Sequence, residues 1–233
     1  MGRGTERRRA AVGLAVTMAM AAAVGMGAAF VTDVEQADSR SFDYFVYTLS
    51  WPSTFCEERS CELHPTGFTI HGLWPNYADG SWPAFCNNSY PFSLDELSDL
   101  TVSLHKTWPD VIKDSDSLWA HEWNKHGTCS SPILKNEHEY FTQALELHTQ
   151  LDPTKILLDN GFSPSDSKTY SLRSIDALLQ KSFGVVPVVG CSSRGQDIAQ
   201  VEYCLDKSFK LIDCDQSSSC PSRVKLPTPK HSS

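Results

Sequence analysis

Eight cysteines, Cys56, Cys61, Cys86, Cys129, Cys191, Cys204, Cys214 and Cys220, limit the folds open to this chain more than any other feature. Their number is even and no pair shows the CxxC spacing of a zinc module. Four disulfides made in an oxidising compartment are therefore favoured over structural metal. The count alone leaves 105 connectivities open.

The N-terminus points to the same compartment. Arg3, Arg7, Arg8 and Arg9 precede an uncharged run from Ala10 to Ala29, a pattern that reads as a secretory signal peptide over residues 1–29 with cleavage near Gly27, Ala28 and Ala29. The run is long enough to cross a bilayer, but it is mostly Ala and Gly with a single Leu, which favours a cleaved signal over a membrane anchor. A secreted or vacuolar protein is expected, with no membrane association after cleavage. The Asn87-Asn88-Ser89 sequon makes Asn87 a glycosylation candidate in that compartment.

Removing residues 1–29 takes away four Arg and one Glu and moves the net charge from −8 to −11. So acidic a surface is unsuited to gripping a phosphate polymer along its length, which argues against a coat or packaging protein. Any nucleic-acid chemistry has to be concentrated at one local cationic site. Hydrophobic residues at 40% and charged residues at 21% suit a globular domain, and no repeat or low-complexity tract divides it. Residues 30–233 are read as a single domain with its core at about 41–226, expected to be a monomer.

Aromatic and β-branched residues predict strands over Phe42–Trp51, Gly67–His71, Val185–Val189 and Ile198–Leu205. Ser93 with Glu96 forms a capping-box pattern, and Leu94, Leu97, Leu100 and Leu104 continue it as a helix up to Trp108-Pro109. Asn136 with Glu139 starts a second helix whose apolar side carries Tyr140, Phe141, Ala144, Leu145 and Leu151. A third runs over Ser171–Phe183 and stops at Gly184. Strands early and late with helices between them indicate an α+β fold.

Titratable side chains are densest in HEWNKHGTC, residues 121–129. On a helix His121, Glu122, Lys125 and His126 share one face, with Trp123 and Asn124 on the other. The segment begins like a zinc-protease helix. Zincin histidines stand at i and i+4, however, whereas His121 and His126 are five apart and diverge by about 140°, so no metal is expected. In FTIHGLWPNY, residues 68–77, strand alternation puts Phe68 and Ile70 on one face and Thr69 and His71 on the other. Gly72 leaves room for a ligand to approach the backbone.

These two motifs, FTIHGLWP and HEWNKHGTC, closely resemble those of the T2-type acid ribonucleases, plant S-like members included. The resemblance implies an α+β fold with a central antiparallel sheet and packed helices, stapled by four disulfides. It implies an endoribonuclease that cuts single-stranded RNA by metal-free transphosphorylation to 2′,3′-cyclic phosphates and then hydrolyses these to 3′-phosphates, with no cofactor. By the same resemblance His71 is the proton donor, His126 the acceptor and Glu122 the third catalytic residue, while His121 and Lys125 hold the phosphate. Optimal activity on the acidic side is implied as well.

Two imidazoles of intermediate pKa suit both steps, since one must be charged while the other is neutral. DNA has no attacking 2′-hydroxyl and is not expected to be cut. Trp74, Tyr77, Trp82 and Trp119 are candidates to stack on bases, Trp74 foremost. Many relatives carry Gln and an aromatic at two base-contacting positions where this chain has Ser50 and Leu118, so base preference does not transfer. Plant relatives also have a disulfide whose two cysteines are both missing here, near Glu62 and Val111–Ser115. The pairs the resemblance then implies are Cys56–Cys61, Cys86–Cys129, Cys191–Cys220 and Cys204–Cys214.

Overall fold

A computed structural model describes residues 40–57, 59–193 and 195–229. The signal-peptide segment lies outside the described residues. The strands are β1 (Tyr44–Ser50), β2 (Thr69–Asn76), β3 (Tyr170–Ser171), β4 (Val188–Cys191), β5 (Ile198–Leu205), β6 (Leu211–Ile212) and β7 (Arg223–Val224). The helices are α1 (Pro52–Phe55), α2 (Thr101–Thr107), α3 (Ser117–Lys125), α4 (Glu137–Leu151), α5 (Thr154–Asp159) and α6 (Leu172–Phe183).

An antiparallel sheet in the order β2-β1-β5-β4, with β6 beside β5, forms the centre of an α+β fold. The pair β3-β7 lies apart from it. Residues paired across an antiparallel ladder point to the same face. One face carries Phe45, Tyr47 and Leu49 of β1 with Leu73, Val201 and Tyr203, all fully buried. Helix α4 packs there: the Tyr47 hydroxyl donates to the Ala144 carbonyl and the Tyr140 hydroxyl to the Leu73 carbonyl. The opposite face carries Val46 with Trp74, Thr48 with Gly72 and Glu202, and Ser50 with Thr69 and Gln200. That second face is the one the candidate site uses.

Helix α4 begins as its sequence predicts, with Asn136 Oδ1 accepting the Glu139 N–H at 2.9 Å. Helix α6 ends at Gly184 in the left-handed conformation, φ 83°. The helix expected from Ser93 to Trp108 is instead a 3₁₀ turn over Leu94–Leu97 followed by α2. Ser93 caps nothing with its side chain, and its N–H is taken by the Glu137 carboxylate at the start of α4, at 3.1 and 3.2 Å. This long-range tie sets the chain's entry and displaces the local capping box. Leu97 and Leu104 are buried while Leu94 is exposed, so the run is not one continuous apolar stripe.

The strand expected at Gly67–His71 continues to Asn76. It passes through Pro75, which lacks an N–H and is tolerated because β2 is an edge strand. The strand expected over Val185–Val189 begins later and runs to Cys191. Bridges join Cys56 to Cys61, Cys86 to Cys129, Cys191 to Cys220 and Cys204 to Cys214, the pairs implied by the resemblance, and no cysteine is free. Among the described residues no helix is long and apolar enough to cross a membrane.

Candidate active site

Strand β2 bulges at His71. Thr48 pairs with Gly72 and Leu49 with Ile70, which leaves His71 without a partner on β1. A bulge adds one residue to a strand and re-aims the side chains beyond it. His71 and Trp74, three apart, would point to opposite faces of a regular strand. Here their rings meet edge to face with centroids 5.0 Å apart. The Trp108 indole donates Nε1–H to the His71 carbonyl at 3.0 Å and fixes the bulge from the core side. At Gly72 a Cβ would lie 2.1 Å from Trp74 Nε1 and 2.3 Å from Glu122 Oε2, so a side chain there would displace both groups.

Helix α3 supplies the facing wall. Its two tryptophans are buried and donate Nε1–H to backbone carbonyls, Trp119 to Trp108 at 2.6 Å and Trp123 to Tyr90 at 2.9 Å. With these anchors the helix turns Glu122 to Trp74, whose Nε1–H it accepts at 2.7 Å. The helix ends at Lys125, and a 3₁₀ turn over Gly127–Cys129 comes next, tied by the Cys86–Cys129 bridge. Gly127 packs under Trp123, where a Cβ would come within 2.3 Å of the indole. The separation of about 140° expected between His121 and His126 presumed a continuous helix. His126 instead leaves the helix at φ −114°, ψ −47°, and the two imidazole centroids are 6.4 Å apart.

His71, His121, Glu122, Lys125 and His126 thereby line one cavity of about 380 Å³ together with Trp74. Ser50 and Leu118 line a different one, about 240 Å³, walled by Phe55, Ile70, Val111 and Ile112; the two cavities share His71. The three base-contact candidates are therefore split, Trp74 on one side of His71 and Ser50 and Leu118 on the other. Tyr77 and Trp119 are core residues, unavailable for stacking, whereas Trp82 is 57% exposed at the rim of the histidine cavity. Asn76, Glu202 and Gln216 line that cavity too and escaped the sequence reading. Glu202 arrives through the pairing of β5 with β1, a contact between segments about 150 residues apart that no local pattern announces.

The electrostatics are those of a partly desolvated pocket in which Lys125 stands among three histidines and two carboxyl groups. Burial lowers the pKa of His71 to about 4, helped by His121 and Lys125. Burial also takes His126 to about 3, with Lys125, His121 and His71 adding to it. His121 is lowered by burial and then by Lys125. Burial raises Glu122 to about 7, against the opposing pull of the Trp74 hydrogen bond and Lys125. The Nδ1 atoms of His71 and His126 are buried with no hydrogen-bond partner among the described residues. His121, Glu122 and His126 offer three donor atoms within 4.8 Å of one another, close enough for a cation in geometric terms. Lys125 stands beside all three and opposes one. What the set can do without metal is hold an anion and move protons on either side of it.

Known proteins share this arrangement's sequence and fold. The chain is 37% identical over 207 residues to Ribonuclease 1 of Arabidopsis thaliana, covering 82% of this chain and 89% of that one. It is 36% identical over 191 residues to Ribonuclease T2 of Danio rerio, covering 78% and 77%. A solved structure of RNase NT in complex with 5′-AMP superposes with a TM-score of 0.75 at 33% identity, covering 82% of this chain and all of that one. The model of the Ribonuclease T2 family matches residues 42–214, a span that contains β1, the His71 bulge, helix α3 and strand β5. With both walls of the histidine cavity inside that match, the chain belongs to the Ribonuclease T2 family.

Proposed function

We propose that this T2-type endoribonuclease cuts single-stranded RNA in the histidine cavity, His126 acting as base and His71 as acid. The observation that carries the reading is the convergence of both imidazoles and Lys125 on one cavity. His126 takes the proton of the ribose 2′-hydroxyl, and that oxygen attacks the adjacent phosphorus. His71 protonates the departing 5′-oxygen, leaving a 2′,3′-cyclic phosphate. Water then opens the ring with the roles reversed, giving a 3′-phosphate. Burial lowers the pKa of both histidines, so each can give up its proton as well as take one. A bound phosphate offsets the Lys125 and His121 charges that help depress both histidines, so both pKa values rise in the complex.

Lys125 and His121 stabilise charge on the five-coordinate phosphorus, and Glu122 holds Trp74 and the charge balance of the pocket. No metal or cofactor enters these steps. The same reading makes residues 1–29 a signal peptide, the protein a secreted or vacuolar monomer, and Asn87 a glycan acceptor; Asn87 is exposed, as such a site requires. Nucleotides are read by Trp74 on one side of the cut and by the walls holding Ser50 and Leu118 on the other. The test is cleavage of single-stranded RNA in EDTA by wild type, His71→Ala and His126→Ala. Wild type stays active, and each variant loses about 10²–10⁴-fold in kcat. Equal activity in the variants, or loss of wild-type activity with EDTA, overturns the assignment.

A further inference from the structure

Besides Glu122, the carboxyl lining the histidine cavity is Glu202, which has no part in the proton transfers above. Its place is set by register. Glu202 pairs with Thr48 and Thr48 with Gly72, so the three form one row on the site face. Two strand spacings, roughly 10 Å in all, separate the Glu202 and Gly72 backbones. Gln200, two residues away on the same face, donates Nε2–H to Glu202 Oε1 at 2.6 Å. Oε2 accepts no hydrogen bond among the described residues. Thr48 and Val188 face Glu202 from the neighbouring strands, His71 and the α3 groups His121, Glu122, Lys125 and His126 from across the cavity, and Gln216 from the segment after β6. No ion pair joins it to Lys125 among the described residues. Burial raises its pKa.

A carboxylate that pairs with none of the site's cations acts on the charge of whatever anion enters. A phosphodiester carries one negative charge, whereas a phosphomonoester carries about 1.5 to 2 near neutral pH. Repulsion grows with that charge. We propose that towards neutral pH, where the monoester gains its second charge, Glu202 makes the site discriminate against phosphomonoesters, so that the diester and the cyclic diester are retained and the hydrolysed 3′-phosphate product is expelled. Glu202 is on this account a specificity-determining residue, and the inference rests on the ribonuclease reading of the cavity.

Binding without turnover tests it. Inorganic phosphate, a 3′-mononucleotide and a 2′-deoxy dinucleoside monophosphate, an uncleavable diester, are titrated by calorimetry into wild type, Glu202→Gln and Glu202→Asp at pH 5 and pH 7.5. At pH 7.5 Glu202→Gln binds inorganic phosphate and the 3′-mononucleotide roughly three- to tenfold tighter and gains clearly less for the diester. The difference shrinks at pH 5, where a monoester with a second pKa of about 6 carries close to one charge, and Glu202→Asp, which keeps the charge, keeps the wild-type ratio. Equal gains for monoester and diester, no gain in a folded Glu202→Gln, or a change that tracks the base rather than the charge overturns the proposal. These ratios decide the role of Glu202 independently of cleavage, whereas full activity in His71→Ala or His126→Ala would remove the ribonuclease reading beneath it.

Discussion

At the scale of single residues, the site depends on absent atoms as much as on present ones. Gly72 leaves the space that Trp74 Nε1 and Glu122 Oε2 occupy, at 2.1 and 2.3 Å from where a Cβ would be. Gly72→Ala should therefore break the Trp74–Glu122 hydrogen bond and lower kcat/KM by at least about tenfold, a loss of roughly 1.4 kcal/mol in transition-state stabilisation. Steady-state kinetics on single-stranded RNA checks this, with circular dichroism showing that the fold persists. Of the five residues proposed to carry the chemistry, four were legible as lining one cavity because they lie within six positions of one another, and His71 because the second motif surrounds it. Glu202 and Gln216 were not, since Glu202 reaches the cavity by strand pairing and Gln216 from the segment after β6, where its Nε2–H donates to the Tyr44 hydroxyl. The bulge at His71 was illegible for a related reason: an unpaired residue is defined by its neighbour strand.

At the scale of elements, helix α3 is held at both ends by contacts from outside it. Trp119 and Trp123 reach the carbonyls of Trp108 and Tyr90, and Cys86–Cys129 closes a 43-residue separation just beyond its C-terminus. Replacing both cysteines by serine is expected to cost about 2–4 kcal/mol of stability, read as a lower midpoint in urea. It should also lower kcat, because His126 lies between the helix end and the bridge. An unchanged midpoint and unchanged kcat would show that the indole anchors suffice. Local signals read α4 and α6 well, since an Asn136 cap and a left-handed Gly184 act within a few residues. They misread the segment from Ser93 to Trp108, where the Glu137 carboxylate from another element takes the Ser93 N–H.

At the scale of the whole molecule, the titratable groups buried in the cavity make stability depend on pH. Glu122, raised to about 7, binds its proton more tightly folded than unfolded, so its contribution is present below the unfolded value near 4.5 and lost as pH rises through 7. His71 and His126, lowered to about 4 and 3, act oppositely: their contribution is present above about 6.5 and lost as pH falls through those values. Stability should then peak in weak acid. Glu122→Gln, which can still accept the Trp74 N–H, is expected to gain about 1–3 kcal/mol at pH 7.5 and nothing at pH 4.5, while losing activity. Denaturant melts at the two pH values check this, and an equal change at both would contradict it. The α+β class was readable from strands early and late with helices between them, and the four bridges from the family resemblance that two motifs carry. How the motifs face each other across a cavity of about 380 Å³ was not, because sheet order is a global property. The central claim, attack by the substrate's own 2′-hydroxyl under two histidines, is tested most directly on a single-stranded DNA oligonucleotide carrying one ribonucleotide. Wild type should cut only on the 3′ side of that ribonucleotide, giving a 2′,3′-cyclic phosphate that later becomes a 3′-phosphate. Cleavage at deoxynucleotides, or a 5′-phosphate product with no cyclic intermediate, would contradict the account.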